Sequence, residues 1–593
     1  MPVLLAAKKA KPYSFGIVKS LLGDIMDKYS VLHQSDSRFS FPVSDTAAVI
    51  RLRVKRNDDF KRVDVIWNTT HKFGQERLEM PMTLSASDEL FDYYTATLDN
   101  GYPGYSYLFR FTDFDDSVWY YNESGFDRTL YVTQTFQDNF TVVFPNASDV
   151  VLPNKKFEGR VFYQIFPERF NKSQNKAYTS YINMDWYTED PRNDVFAGGD
   201  LDGIAEKLPY LKDLGVGAIY MTPIHPSISA HKYDVDDYFD VDKMFGGLPA
   251  LKNLVEQAHK QDILVMMDLV FNHSGYLNPL FQDVVKNGKK SKYYNWYFVD
   301  GDKPDWDKLN YKTFCDVNMM PKLNTNNPQV MDYLSKVGEF YLDMGVDGFR
   351  MDVAFDVSHA FWQYFKYRMK QKKSDVFIIG EDWQNSESFL GNDQWDSVMN
   401  YPFLYACQRY FAYKRYDAKA FADYLNNTLM RYKDGTNRNM LNLIDSHDIE
   451  RFYNTVGFDK DLELMAIAAL TFYLGSPMLY YGDEIFMEGK QDPYNRKAMR
   501  WNSTAFESVE FQTVKRLLNM RQNDILRLGD ISVWAKDDVA YIRRTYGGQS
   551  LTLVLNYSGE DKTVCGKVVF GRNVSGNVMH NKSFAVIEQT IAS

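Results

Sequence analysis

The chain changes rhythm twice. From Met26 to about residue 145, short alternating apolar runs (AAVIRLRV, VDVIWN, YSYLFRFTD, SVWYYN and RTLYVTQTF) are separated by Asp, Asn, Gly and Ser turns. Alternation with a period of two at that spacing predicts an N-terminal β-sandwich. Residues 1–25 match no element and read as an extension, appended or disordered, ahead of a natural start at Met26. The stretch FPNASDVVLPNKKFEG holds two prolines and predicts a linker.

Beyond it, strands and helices take turns. VFYQIF is followed by GIAEKLPYLKDLG, in which Ile204, Leu208, Leu211 and Leu214 share one helical face, and then by AIYMTPI. PALKNLVEQAHKQD, ILVMMDLV, PQVMDYLSKVGEFYLDMG, VDGFRMDV, VFIIGED, MLNLIDS and PMLYYGDE continue the pattern, with a weaker strand near DSVMNYPF. Strands that are apolar throughout are buried on both faces, which implies parallel pairing beneath helices. About eight such strands over roughly 350 residues predict an α/β protein with a (β/α)₈ TIM barrel. The barrel is expected over residues 146–525, with an inserted domain at about 275–328 after the third strand. Past VEFQTVKRLLNMRQ the alternation returns in DVAYIRRTY, SLTLVLNYS, KTVCGKVVF and FAVIEQ, predicting a C-terminal β-sandwich over 526–593.

Composition narrows the function classes. The net charge of -10 and the pI near 5.5 oppose binding to nucleic acid or an anionic membrane, which needs clustered Lys and Arg. No apolar run reaches the roughly 18 residues of a membrane span. The N-terminal apolar stretch is too short for a secretory signal, so a cytoplasmic location is expected. Cys315, Cys407 and Cys565 are far apart and form no disulfide framework or zinc pattern. Aromatic residues make up 16% of the chain, which suits sugar faces or simply a Tyr-rich core and surface.

In a parallel barrel the reacting groups stand at the C-terminal ends of the strands. Here those ends carry Asp268, Asn272 and His273; Arg350 and Asp352; Glu381; and His447 and Asp448. A single Asp there is equally well a helix cap. Four such ends together point to a site. Arg350 and Asp352 are two apart on a strand and share a side, so the guanidinium would favour an ionised Asp352. Partial burial of Glu381 after VFIIG would keep a proton for a leaving oxygen. Two carboxyls with separated pKa values are what glycosidic cleavage requires. The competing reading is a structural Arg350–Asp352 ion pair, with Glu381 facing a helix.

DLVFNH, GFRMD, GED and DSHD, in this order and spacing, resemble the α-amylase superfamily of glycoside hydrolases from about Met26 onward. MPKLN, Glu381-Asp382-Trp383, YQIFPERF, FAGGDLDGI, HKYD and DPYNR are similar to the neopullulanase, cyclomaltodextrinase and maltogenic amylase subgroup, whose extra starch-binding-type domain the N-terminal sandwich resembles. The resemblance implies Asp352 as nucleophile, Glu381 as general acid/base and Asp448 as the carboxylate that binds hydroxyls of the distorted sugar. It implies that His273, Arg350 and His447 hold that sugar and that Tyr233 stacks on its face. Asp492 and Arg496 would contact the next glucose, and Trp383 would flank the leaving group. For Tyr233 and Trp383, core packing is the alternative.

The implied activity is retaining hydrolysis of α-1,4-glucosidic bonds in maltooligosaccharides, cyclodextrins or pullulan, with transglycosylation. The alternatives are a related α-glucosidase or glucanotransferase, or a non-catalytic glucan-binding barrel. The implied partners are an α-glucan oligosaccharide and a second copy of the chain, docked through the N-terminal sandwich, whose Trp67, Tyr93, Tyr94, Trp119, Tyr120 and Tyr121 would supply a surface, the domain's own core or a glucan-binding face.

Three departures stand out. Val353, Ala354, Phe355 and Asp356 follow the nucleophile position where the subgroup has Asn then Glu, and Asp382 replaces an apolar residue. PERFNKSQNK lacks most of the family's calcium-loop acids, leaving Asn171 and Asp200. Calcium wants several oxygen ligands, so no cofactor is expected to be required.

Overall fold

The computed structural model describes residues 26–590 except 75, 103, 131–137, 144 and 145. The extension expected at 1–25 and most of the RTLYVTQTF run lie outside the described residues. Along the sequence the chain divides into two compact units between Val150 and Val151.

The first unit contains two antiparallel sheets. One runs in the order Ser40–Pro42, Ala47–Lys55, Phe91–Asp99, Thr83–Ser87. The other runs Leu78–Pro81, Arg62–Thr69, Tyr105–Thr112, Val118–Asn122, Gly125–Asp127, with Phe140–Val142 added to Tyr105–Thr112. Ile50, Leu52, Val63, Val65, Trp67, Tyr105 and Phe109 fill the core. Tyr94, Trp119 and Tyr121 pack partly against it, and Tyr93 is buried. Much of the aromatic content is therefore spent on the domain's own interior. The exposed apolar residues of this unit include Leu78 and Leu84, on the edge strands of the two sheets, and Leu90.

The second unit is built around a closed barrel of eight parallel strands. They are β1 (Phe162–Ile165), β2 (Ala218–Met221), β3 (Leu264–Val270), β4 (Gly348–Asp352), β5 (Phe377–Gly380), β6 (Ser397–Asn400), β7 (Leu441–Asn442) and β8 (Ser476–Tyr480). Every residue of β3 and β4 is buried, as expected for strands covered on both sides. The helix Pro328–Asp343 shows why the covering elements form. Asn327 accepts from Gln329 N, Pro328 opens the first turn, and Val330, Leu334, Val337 and Tyr341 face inward.

One helix differs from the sequence reading. GIAEKLPYLKDLG forms two pieces, Leu201–Glu206 and Leu208–Leu214, broken at Lys207. Pro209 has no N–H to continue the ladder, and its ring crowds the preceding turn. The apolar face survives the break, because Ile204, Leu208, Leu211 and Leu214 are all buried.

Between β3 and the helix Pro328–Asp343 lies the inserted region. It contains the helix Pro279–Asn287 and isolated bridges pairing Val299 with Tyr311, Thr313 with Pro321 and His273 with Lys322. The C-terminal part is a six-stranded antiparallel sheet, in the order Asp530–Lys536, Val539–Tyr546, Gln549–Asn556, Val578–Thr590, Lys562–Thr563, with Lys567–Ser575 also on Val578–Thr590. Among the described residues, no helix is long and apolar enough to cross a membrane.

Candidate active site

Parallel register sets the site. Pairing of β3 with β4 places Asp268 opposite Arg350 and Val270 opposite Asp352, and Glu381 N donates to Met351 O at 3.0 Å just beyond β5. Asp268, Arg350, Asp352 and Glu381 are thereby gathered at the C-terminal mouth of the barrel, where the loops converge.

Arg350 is the hub. Its Nη1 donates to Asp268 Oδ1 at 3.0 Å, Asp268 Oδ2 at 2.9 Å and Asp352 Oδ1 at 2.9 Å. Its Nη2 lies 3.0 Å from Glu381 Oε2 and 3.8 Å from Asp448 Oδ2. Burial, and after it the charges of Glu381, Asp268 and Asp448, push the Asp352 carboxyl up, with Arg350 pulling the other way. The expectation that Arg350 simply keeps Asp352 ionised meets this opposing effect, since one guanidinium is divided among four carboxylates. Asp268 is pushed up to about 6, again by burial, against the pull of Arg350, Tyr220 and Tyr233. A cluster with more acids than bases holds protons, as an acid/base pair needs.

Glu381 is held from two sides. Val353 N donates to its Oε2 at 2.8 Å, from a left-handed backbone with φ of 45° that a β-branched residue rarely adopts. Trp383 Nε1 donates to its Oε1 at 3.0 Å. The Trp383 ring stacks on Tyr401 at 4.6 Å yet is 38% exposed, so it is a wall of the cleft rather than core.

On the opposite side stand His447, Asp448 and Tyr233. Gln164 Nε2 lies 2.8 Å from His447 Nδ1, and an amide nitrogen can only donate, so Nδ1 accepts and Nε2 carries the proton. That Nε2 is 2.5 Å from Tyr233 Oη and 3.1 Å from Asp448 Oδ1, and Tyr233 Oη donates in turn to Asp268 Oδ2 at 2.9 Å. The Tyr233 and His447 rings are parallel within 5° at 5.6 Å. Burial, with Arg496 and Arg350 nearby, holds His447 far below the ordinary imidazole range, and burial lowers His273 to about 3. Both rings are neutral near pH 7. His273 stacks on Phe314 at 5.1 Å, and its buried Nε2 has no partner among the described residues.

Asp448 is the most exposed of the three acids at the mouth. Arg496 Nη2 lies 3.5 Å from its Oδ1, and Arg496 Nη1 pairs with Asp492 at 2.7 Å. The structure thus brings Asp352, Glu381, Asp448, Tyr233, His273, Arg350, Trp383, His447, Asp492 and Arg496 around one cleft. Asn171 and Asp200 are in a separate cluster. Asp382 is turned inward, where Ser386 Oγ donates to it at 2.8 Å.

Several supporting residues were missed in the sequence. Gln164, Tyr220 and Asn495 are buried polar groups. Tyr220 Oη donates to Asp268 at 2.8 Å, and Asn495 Nδ2 donates to His447 O at 2.7 Å and Ile449 O at 2.8 Å. For Gln164 and Tyr220 the signal was a lone polar side chain within an apolar strand, as Gln164 stands in VFYQIF, whereas Asn495 lies in the turn Tyr494–Arg496 and carried no such signal. Lys322 Nζ donates to Asn272 Oδ1 at 2.7 Å and pairs with the Asp356 carboxylate, pinning the turn that follows Asp352. Beside it opens a groove of 780 Å³ lined by Phe298, Asn310, Tyr311, Lys312 and Asp356.

Comparison with known proteins agrees with this geometry. Residues 164–538 match the family described as alpha amylase, catalytic domain, and residues 26–146 match alpha amylase, N-terminal ig-like domain. Neopullulanase 2 of Thermoactinomyces vulgaris is 36% identical over 545 residues, 90% of this chain and 92% of that protein. An intracellular maltogenic amylase of Bacillus subtilis is 34% identical over 523 residues, covering 86% and 88%. A solved cyclomaltodextrinase structure superposes with a TM-score of 0.86 at 32% identity, covering 95% of this chain and 98% of that one. With a catalytic-domain match spanning the barrel and its carboxylate cluster, the chain belongs to the alpha-amylase family of glycoside hydrolases.

Proposed function

We propose that this protein hydrolyses α-1,4-glucosidic bonds with net retention, acting on maltooligosaccharides, cyclodextrins or pullulan and transferring glycosyl groups to sugar acceptors as a side reaction. The observation that carries the reading is the single Arg350 guanidinium touching both Asp352 and Glu381. It keeps the two carboxyls in one small space, as the retaining geometry of roughly 5 to 5.5 Å demands. Glu381 gives its proton to the glycosidic oxygen while Asp352 bonds to the anomeric carbon and the leaving sugar departs. A water, or a sugar hydroxyl in transfer, then returns a proton to Glu381 and displaces Asp352. Asp448 and the neutral His273 and His447 take sugar hydroxyls, Tyr233 stacks on the ring, and Asp492 with Arg496 receives the next glucose.

The names neopullulanase, maltogenic amylase and cyclomaltodextrinase among the relatives support the substrate classes. The intracellular relative supports a cytoplasmic site of action. Exposed Leu78, Leu84 and Leu90 support association of two copies through the N-terminal sandwich, which light scattering of the full chain tests: a dimer is expected, and a monomer overturns it.

The deciding experiment is a product chromatogram on β-cyclodextrin, pullulan and soluble starch. Wild type is expected to release maltooligosaccharides from β-cyclodextrin and starch and oligosaccharides that retain an α-1,6 bond from pullulan, and Asp352→Asn none above background. No release from any of the three, or release only of glucose from chain ends, contradicts the reading.

A further inference from the structure

Outside the catalytic cleft, the segment 171–200 closes on a buried ionic cluster. Asp200 caps the helix Leu201–Glu206 by accepting from Gly203 N at 2.6 Å. The same carboxylate accepts from Ser173 N at 3.2 Å, Ser173 Oγ at 2.8 Å and Lys176 Nζ at 2.8 Å. Lys176 is itself buried, its side chain only 7% exposed, and its ammonium also donates to Met244 O at 2.6 Å.

Met244 belongs to the turn Lys243–Phe245, which Asp242 caps. Asp242 pairs at 2.6 Å with Lys232 Nζ, a fully buried ammonium that also donates to Ser227 O at 2.9 Å and lies 3.5 Å from Met244 Sδ. Lys232 directly precedes Tyr233. Two lysines thus grip one turn from two sides, and that turn backs the segment presenting Tyr233.

Calcium, which family resemblance suggests at Asn171 and Asp200, does not fit these residues. It takes six to eight oxygens at about 2.3–2.6 Å. Both oxygens of Asp200 already serve four donors, one of them a cation. Asn171 gives its amide nitrogen to Gly203 O at 2.9 Å. Among the described residues, no group of three or more His, Cys, Asp or Glu is placed to hold a metal. Burying a lysine costs desolvation and side-chain freedom, so such a lysine persists where its charge is matched.

We propose that the Lys176 ammonium is the resident cation of this loop. It neutralises Asp200 and ties the 171–200 segment to the 242–245 turn behind Tyr233, and it makes calcium unnecessary there. A ligand that binds only the folded state must raise the melting temperature, so calcium linkage is the test, and it does not depend on which glucan the enzyme cleaves.

The melting temperature of the full-length wild type is measured in EDTA and in millimolar calcium chloride, with sensitised terbium luminescence alongside. No shift beyond about 1 °C and no luminescence are expected, whereas Lys176→Met, which strands the Asp200 charge, should melt about 5 °C lower. Lys176→Arg should lose less than Lys176→Met. A wild type stabilised by calcium or weakened by EDTA overturns the proposal, as does a Lys176→Met protein as stable as wild type. If Lys176→Met yields no folded protein, Lys176→Arg decides: indifference to calcium supports the proposal, and a calcium-dependent melting temperature overturns it.

Discussion

Arg350 Nη1 lies 2.9 Å from Asp352 Oδ1, while Nη2 of the same guanidinium lies 3.0 Å from Glu381 Oε2. A planar fork can hold two carboxylates at a fixed spacing, whereas a lysine of equal charge offers one point. Arg350→Lys should therefore reduce kcat by about a hundredfold or more, with the chain still folded by circular dichroism. Activity within a fewfold of wild type would show that charge alone matters at this position.

The histidines of the cleft are neutral near pH 7, because burial lowers His273 to about 3 and drives His447 well below its ordinary value. Both are deprotonated above those depressed values and do not titrate between pH 5 and 8. Over that range the pH profile of kcat/KM should report only the carboxylate cluster. His447→Gln should lower the profile without moving its limbs along the pH axis. A limb that shifts by a full pH unit in this variant would assign it to the histidine.

Tyr233 contributes a ring parallel to His447 and a hydroxyl bonded to Asp268. Tyr233→Phe keeps the stacking face and should cost about threefold in kcat/KM, whereas Tyr233→Ala should cost about thirtyfold or more, mostly through KM. Equal losses in the two variants would place the contribution in the hydroxyl instead.

Gly380 ends β5 immediately before Glu381, and a Cβ there would sit 2.3 Å from the buried Trp395 ring. Neither the strand nor the indole has room to retreat, so Gly380→Ala should destabilise by about 2 kcal/mol or more and displace Glu381. The check is a lowered melting temperature together with lost activity. A wild-type melting curve would mean that Trp395 repacks.

Much of this architecture was legible because its signals are local. Strands β3, β4 and β5 are mostly apolar, with Asp268 near the end of β3, Asp352 closing β4 and Glu381 directly after β5. The apolar runs therefore located the barrel, and the acids at their C-terminal ends pointed to the site, while the roles of those acids came from the motif resemblance. β7 pairs over only Leu441–Asn442, and MLNLIDS marked it chiefly by its apolar residues. Partners far apart in the chain stayed hidden. Nothing near Gln164 says that it orients His447, 283 residues away, and nothing in PERFNKSQNK says that Lys176 reaches Met244. The sharing of Arg350 among four carboxylates was also invisible, because a strand pattern tells which residues face the same side but not how many acids other strands bring there.

The central claim, double displacement through Asp352 with Glu381 as acid/base, is tested most directly by proton NMR of the first product released from a maltooligosaccharide, before mutarotation. Retention predicts that the newly formed reducing end appears as the α-anomer and drifts toward equilibrium afterwards. Initial appearance of the β-anomer would mean that water attacks directly, that the two carboxyls stand too far apart for a covalent intermediate, and that the roles given to Asp352 and Glu381 are wrong.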